Sequence, residues 1–302
     1  MHSTMEKKKK RLIHKVKRLL RQTGIPRWLN HLGSKKYEFW QHALALIVKQ
    51  ECKLGYRRVS RLLNWLGYKT PTYSALAKML KRVPWQLWQK VLNLTNKQKL
   101  NLVAIDGTGL SRPLPSPYYY RRIDKPYPVE VPLKLSIAID TRTKRVLSLR
   151  LRAKSCHDIR DAKYLINRLP SLPRKLVADK GYDAEWLHRF CYDKGIKAVI
   201  PIRNYGKPKH RSMSLRNNQN IKKKTYGRRE MVESVIGALK RKFGASVSSI
   251  SAHTRRAEIY CRAIAHNIIA YLVEEIQRSQ VQENIYKYTQ NPTCYGIHIH
   301  LA

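Results

Sequence analysis

The chain has 302 residues, 43% of them hydrophobic, enough to build a packed core. Its 62 lysines and arginines against 19 aspartates and glutamates give a formal net charge of +43 and a pI near 10.4, an excess that repels itself unless a polyanion is close. No apolar run of about 18 residues argues for a spanning helix, the N-terminus lacks a signal-peptide pattern, and five cysteines at 52, 156, 191, 261 and 294 form no C-x-x-C pair. The reading is a soluble, unexported protein with no membrane partner, and its expected polyanion is nucleic acid, whose neutralised phosphates release counterions.

In chain order, Lys7 to Arg21 is a basic amphipathic stretch without an acid, so residues 1–30 read as a basic arm. Residues 31–98 read as all helical, broken at Gly55, Gly67, Pro71 and Pro84. Two of these segments, Tyr56 to Gly67 and Thr72 to Arg82, flank a short connection and outline a helix-turn-helix. The second would turn Tyr73, Lys78, Lys81 and Arg82 toward DNA and Leu76, Met79 and Leu80 inward. A purely structural or dimerising bundle would give the same pattern. Beyond residue 100, apolar runs NLVAID, VPLKLSIAID, VLSLRLRA, KLVAD and KAVIPI alternate with helical segments, which predicts an α/β mixed sheet with helices on its faces. The second and third runs form a hairpin across TRTK. Between Arg203 and Arg229 lie ten basic residues and no acid, an expected exposed loop. Two long helices close this unit at about residue 280, and residues 281–302 form a tail.

Two runs end in an aspartate followed by glycine-containing turns, LVAID-GTG and LVAD-KGYD. Asp106 and Asp179 are therefore expected at strand exits, where the crevice of an open α/β sheet lies. Two carboxylates converging near 4 Å repel by about 4 kcal/mol at an effective dielectric near 20, which a divalent cation would relieve. The helix GRREMVESVIGALKRKFG supplies a third acid. Its periodicity makes Val232, Val235, Ile236, Leu239 and Phe243 the core face, with Glu233 at the margin and Glu230 turned to water. Asp140 reads as a turn residue, while His157, Asp158 and Asp183 read as helix caps.

Tyr226, Arg229, Glu233 and Lys240, spaced Y-x2-R-x3-E-x6-K, resemble the Tyr-Arg-Glu-Lys signature of insertion-sequence DDE transposases. On an ideal helix they share one 60° face. The resemblance covers roughly residues 100–275, including the Asp-Gly-Thr-Gly and Ala-Asp-Lys-Gly-Tyr-Asp segments. It implies an RNase H-like catalytic domain over 99–280, preceded by the helix-turn-helix-like region. It also implies that Asp106, Asp179 and Glu233 ligate two Mg²⁺ or Mn²⁺ ions, with Tyr226, Arg229 and Lys240 contacting DNA. Further implications are double-stranded DNA partners (element ends and target), a homodimer or higher synaptic complex, and a cytoplasmic, nucleoid-associated prokaryotic setting. Excision and joining of 3′ ends would proceed by in-line attack of water or a hydroxyl. The gaps of 73 and 54 residues between the acids point to a compact variant without a large insertion. The same acids would serve a nuclease that cuts without joining; a catalytically silent DNA-binding protein is the other alternative.

Overall fold

The computed structural model describes residues 35–96, 98–112, 116–126, 132–154, 156–203 and 221–270, with scattered residues between 17 and 29 and Leu215. Most of the expected basic arm, most of the basic loop and the tail 281–302 lie outside them.

The helical region holds α1 (Phe39–Glu51), α2 (Tyr56–Trp65), α3 (Tyr73–Arg82) and α4 (Trp85–Leu94), with no strand among its described residues. The α1 helix begins with a capping box, in which the Glu38 amide donates to Gln41 Oε1 at 2.7 Å. Gly67 takes φ of +80° to end α2, a conformation open to a residue without Cβ. Ser60 Oγ donates to the Pro71 carbonyl at 2.9 Å, tying α2 to the connection, and Thr72 caps α3 through the Ala75 amide. As expected, Leu76, Met79 and Leu80 are buried, while Tyr73, Lys78, Lys81 and Arg82 face outward.

The sheet comprises β1 (Leu102–Ser111), β2 (Pro132–Asp140), β3 (Val146–Arg152), β4 (Lys175–Val177) and β5 (Lys197–Val199), in the order β3-β2-β1-β4-β5. The β1–β2 and β2–β3 pairs are antiparallel, and β4 and β5 run parallel to β1, the RNase H-like arrangement. Asp140 accepts from the Arg142 amide and the Thr143 hydroxyl in the β2–β3 turn, as its position predicted. Between β1 and β2 lies α5 (Pro117–Arg122); α6 (Ile159–Ile166) and α7 (Glu185–Asp193) follow β3 and β4. The segment after residue 221 folds as α8 (Lys223–Tyr226), a 3₁₀ turn (Gly227–Arg229) and α9 (Glu230–Phe243), and residues 252–270 form α10.

Alternation along β1 divides the core. Ala104 and Leu110 pack with α1–α4, α9 and α10, whereas Val103 and Ile105 pack with α6 and α7. One apolar cluster thus runs from Phe39 and Trp88 of the helical region to Ile137 of the sheet and Val235 of α9. At the same junction the Tyr260 hydroxyl donates to Gln89, whose amide donates to the Leu147 carbonyl. Among the described residues no helix is long and apolar enough to cross a membrane.

Candidate active site

Asp106 is not at a strand exit. The strand continues through Gly107, Thr108 and Gly109 to Ser111, because β2 pairs with it from Val103 to Ser111, Asp106 opposite Ile137. What ends after Ala104 is the pairing on the other edge, since β4 stops at Val177. The expected crevice exists, but it opens beside the middle of β1 where the parallel neighbour gives out. Asp106 shares the β1 face of Ala104 and Leu110, against which α9 packs. Its Oδ1 accepts from the Gly107 amide at 2.8 Å.

Asp179 does sit just past its strand, leading into a 3₁₀ turn over Lys180–Tyr182 without capping it through its side chain. Glu233 lies in the first turn of α9, its side chain 52% exposed and bound by Arg229 Nη1 at 2.5 Å. The buried face of α9 is the predicted one, with Val232, Val235, Ile236 and Phe243 inside and Leu239 packed against them, and Glu230 is exposed. The single ideal helix through Tyr226 and Glu233 is not formed. A 3₁₀ turn, tighter than an α-helix, separates α8 from α9 and rephases Tyr226 and Arg229; the Arg229 guanidinium lies 6.0 Å from the Tyr226 ring centre. Lys240 falls two turns beyond Glu233 on unbroken helix.

Electrostatics bring these groups together. Burial raises the Asp106 carboxyl above its ordinary value; the Gly107 amide opposes this, Asp158 adds to it, Arg229 opposes it and Glu233 adds to it. Arg229 in turn feels Glu233 and Asp179. Although burial works against its charge, the hydrogen bond and these anions raise it above its ordinary value. Arg229 is thus bonded to Glu233 and within electrostatic reach of Asp106 and Asp179. No three His, Cys, Asp or Glu side chains among the described residues stand close enough to hold one ion together. The donor chemistry nevertheless fits a hard divalent cation: the groups on offer are carboxylate oxygens, and behind β1 a further one, Asp158 Oδ1, is buried beside Lys134 without an aligned hydrogen bond.

Asp158 was expected to cap α6 and does not. It precedes the helix in helical conformation and makes no side-chain capping bond. Its Oδ1 lies instead 2.6 Å from Lys134 Nζ on β2, a charged partner stronger than a backbone amide. Asp183 likewise does not cap α7; it accepts from the Arg203 amide at 2.8 Å and meets His188 Nε2 at 3.2 Å. Tyr182, which periodicity did not single out, buries a hydroxyl with no hydrogen-bond partner. Burial foremost, then Asp158, Asp106, Asp161 and Asp179, hold that phenol well above its ordinary value.

A cavity of about 760 Å³ opens away from these acids, between the helical region and the segment after α9, lined by Lys49, Lys53, Tyr56, Lys81, Ser248 and Arg262 among others. None of these acids lines it, and Lys81 is one of its cationic walls.

Residues 97–268 match the family model described as "Transposase DDE domain", more than half of the chain. No curated protein matches the sequence. Similar solved structures include a piggyBac transposase synaptic complex with hairpin DNA, 11% identical at a TM-score of 0.47, covering 88% of this chain and 72% of that one. The Mos1 strand transfer complex is 13% identical at 0.31, covering 80% and 78%, and the Drosophila P element transposase strand transfer complex is 10% identical at 0.29, covering 91% and 88%. With the matched segment enclosing the mixed sheet and its acids, the chain belongs to the DDE-domain transposase family and is a DNA transposase.

Proposed function

We propose that Asp106, Asp179 and Glu233 form the catalytic centre and hold Mg²⁺ or Mn²⁺, two ions in the active complex. The observation that carries this reading is the place of Arg229, which bonds Glu233 of α9 at 2.5 Å and lies within electrostatic reach of Asp106 on β1 and of Asp179 at the exit of β4, inside the segment that matches the family. Divalent ions bound there would stabilise the attacking and leaving oxygens of an in-line displacement at a phosphodiester. The chain's own part is to aim the carboxylates. Asp106 is held by Gly107 and the rigid centre of the sheet, and Asp179 by the short turn behind β4. Glu233, half exposed and, among the described residues, bonded to Arg229, is the group placed to turn inward. Arg229, once released, and Lys240 would grip DNA phosphates, with Tyr226 stacked nearby.

The outward face of α3, with Tyr73, Lys78, Lys81 and Arg82, supplies DNA contacts outside the centre, supported by the cationic cavity that Lys81 shares with Lys49 and Lys53. Cleavage frees 3′ hydroxyls at the element ends, and the same centre then joins them to target DNA within a dimer or larger synaptic complex. The test is cleavage of end-bearing DNA in Mg²⁺ or Mn²⁺. Asp106→Asn, Asp179→Asn and Glu233→Gln should each lose about 10³-fold, the equivalent of roughly 4 kcal/mol of barrier, with DNA affinity nearly unchanged. Wild-type cutting by any of the three would remove that residue from the centre.

A further inference from the structure

Asp158 touches the site from the opposite side of β1. An ideal Cβ built on Gly107 would meet Asp158 Oδ1 at 2.0 Å and Lys134 Cε at 3.3 Å, so any side chain here would have to displace the Asp158 carboxylate from its seat. Gly107 is also the residue whose amide holds the Asp106 carboxylate. Lys134, opposite Gly109 in the β1–β2 register, donates as well to the Cys156 carbonyl, closing a short loop ahead of α6 over the strand.

A purely structural role for Asp158 has little left to do. The helix is already fastened by Asp161, fully buried, which accepts from Arg152 Nε at 2.7 Å and Ser136 Oγ at 2.7 Å, with Arg150 Nη1 at 3.2 Å. The Asp158–Lys134 pair therefore adds a second tie to a helix start that Asp161 already anchors. The Asp158 carboxylate, by contrast, lies against Gly107, the residue whose amide holds the Asp106 carboxylate.

We propose that Asp158 is a positioning residue of the catalytic centre: seated on Gly107, it strengthens the hold of Asp106 on a divalent cation, and Lys134 is the ammonium that opposes it. This rests on the reading of Asp106 as a ligand. It makes the two partners of one ion pair act in opposite directions. Removing the carboxylate takes a negative charge from beside the cation's seat; removing the ammonium leaves that charge unopposed.

The experiment titrates Mn²⁺ into the metal-free, full-length protein without DNA, read by calorimetry or by the Mn²⁺ spin-resonance signal. Asp158→Asn should weaken binding about tenfold, in the range seen when groups behind a ligand are altered. Lys134→Met should tighten it several-fold. Unchanged affinity in Asp158→Asn, or a change of the same sign in both variants, overturns the proposal. Should Asp158→Asn fail to fold, Lys134→Met decides alone: tighter binding supports the role and unchanged or weaker binding ends it. Asp106→Asn is the reference. If it binds Mn²⁺ like the wild type, the ligand reading fails and the proposal with it; if it loses Mn²⁺ while Asp158→Asn does not, only the role of Asp158 falls.

Discussion

An arginine and a glutamate four residues apart meet at the start of α9 and again on α10, and the two pairs have opposite fates. Arg229, in the turn before α9, meets Glu233 at 2.5 Å with side chains 23% and 52% exposed; on α10 the Arg262–Glu258 contact is 2.6 Å with side chains 9% and 1% exposed. The second pair is stitched in from every side. Glu258 also accepts from the Ser248 amide and hydroxyl and the Ser249 amide, and Arg262 donates to the Gly244 and Ser246 carbonyls and to Gln50. Burial alone would raise the Glu258 carboxyl, but Arg262, Ser249, Ser248 and Lys49 together hold it below its ordinary value. A charge satisfied in this way is part of the framework. The α9 pair leaves its glutamate half in water with one partner among the described residues, and can exchange that partner for another cation at small cost. Identical spacing says nothing of this; what surrounds each helix does.

The contrast breaks first at stability. Glu258→Gln should lower unfolding free energy by about 3–5 kcal/mol, because it strands a buried arginine, whereas Glu233→Gln should change it by less than about 1 kcal/mol while removing cleavage. Urea unfolding of both variants checks this, and equal losses would erase the distinction.

Acid titration sharpens the comparison with opposite signs. The lowered carboxyl of Glu258 contributes stability that is complete above the ordinary carboxylate range and lost as pH falls through its folded value. The raised carboxyl of Asp106 does the reverse: its ionisation weakens the metal-free fold at neutral pH, and that cost disappears as pH falls below the ordinary range. Asp106→Asn should therefore raise the thermal midpoint at pH 7 without metal, with the gain shrinking toward pH 3, while the deficit of Glu258→Gln shrinks over the same range. A midpoint for Asp106→Asn below that of the wild type at pH 7 would contradict the burial assigned to this acid.

The smallest effect belongs to Glu230, exposed at the start of α9. Glu230→Ala should leave stability within about 0.5 kcal/mol and cleavage unchanged. A loss of metal-dependent cutting there, with Glu233→Gln active, would reverse the phase assigned to this helix.

The alternation of apolar residues was enough to read the strands, the hairpin across Thr141–Lys144, the helical region and the buried face of α9, because period and chain reversal are local properties. The Tyr-Arg-Glu-Lys spacing was likewise enough to read the family, since four residue types at set distances are a property of sequence alone. Other features depended on partners distant in the chain. Asp106 lies in mid-strand because β2 pairs past it while β4 stops short, and glycines that look like a turn are tolerated inside a strand paired on one edge. Asp158 and Asp183 fit the pattern of caps, yet Lys134 and Arg203, 24 and 20 residues away, claim their carboxylates. The 3₁₀ break before α9 is settled the same way. Local sequence sets which groups a side chain is able to bind, but tertiary packing decides which of them it reaches and how much water is left to compete.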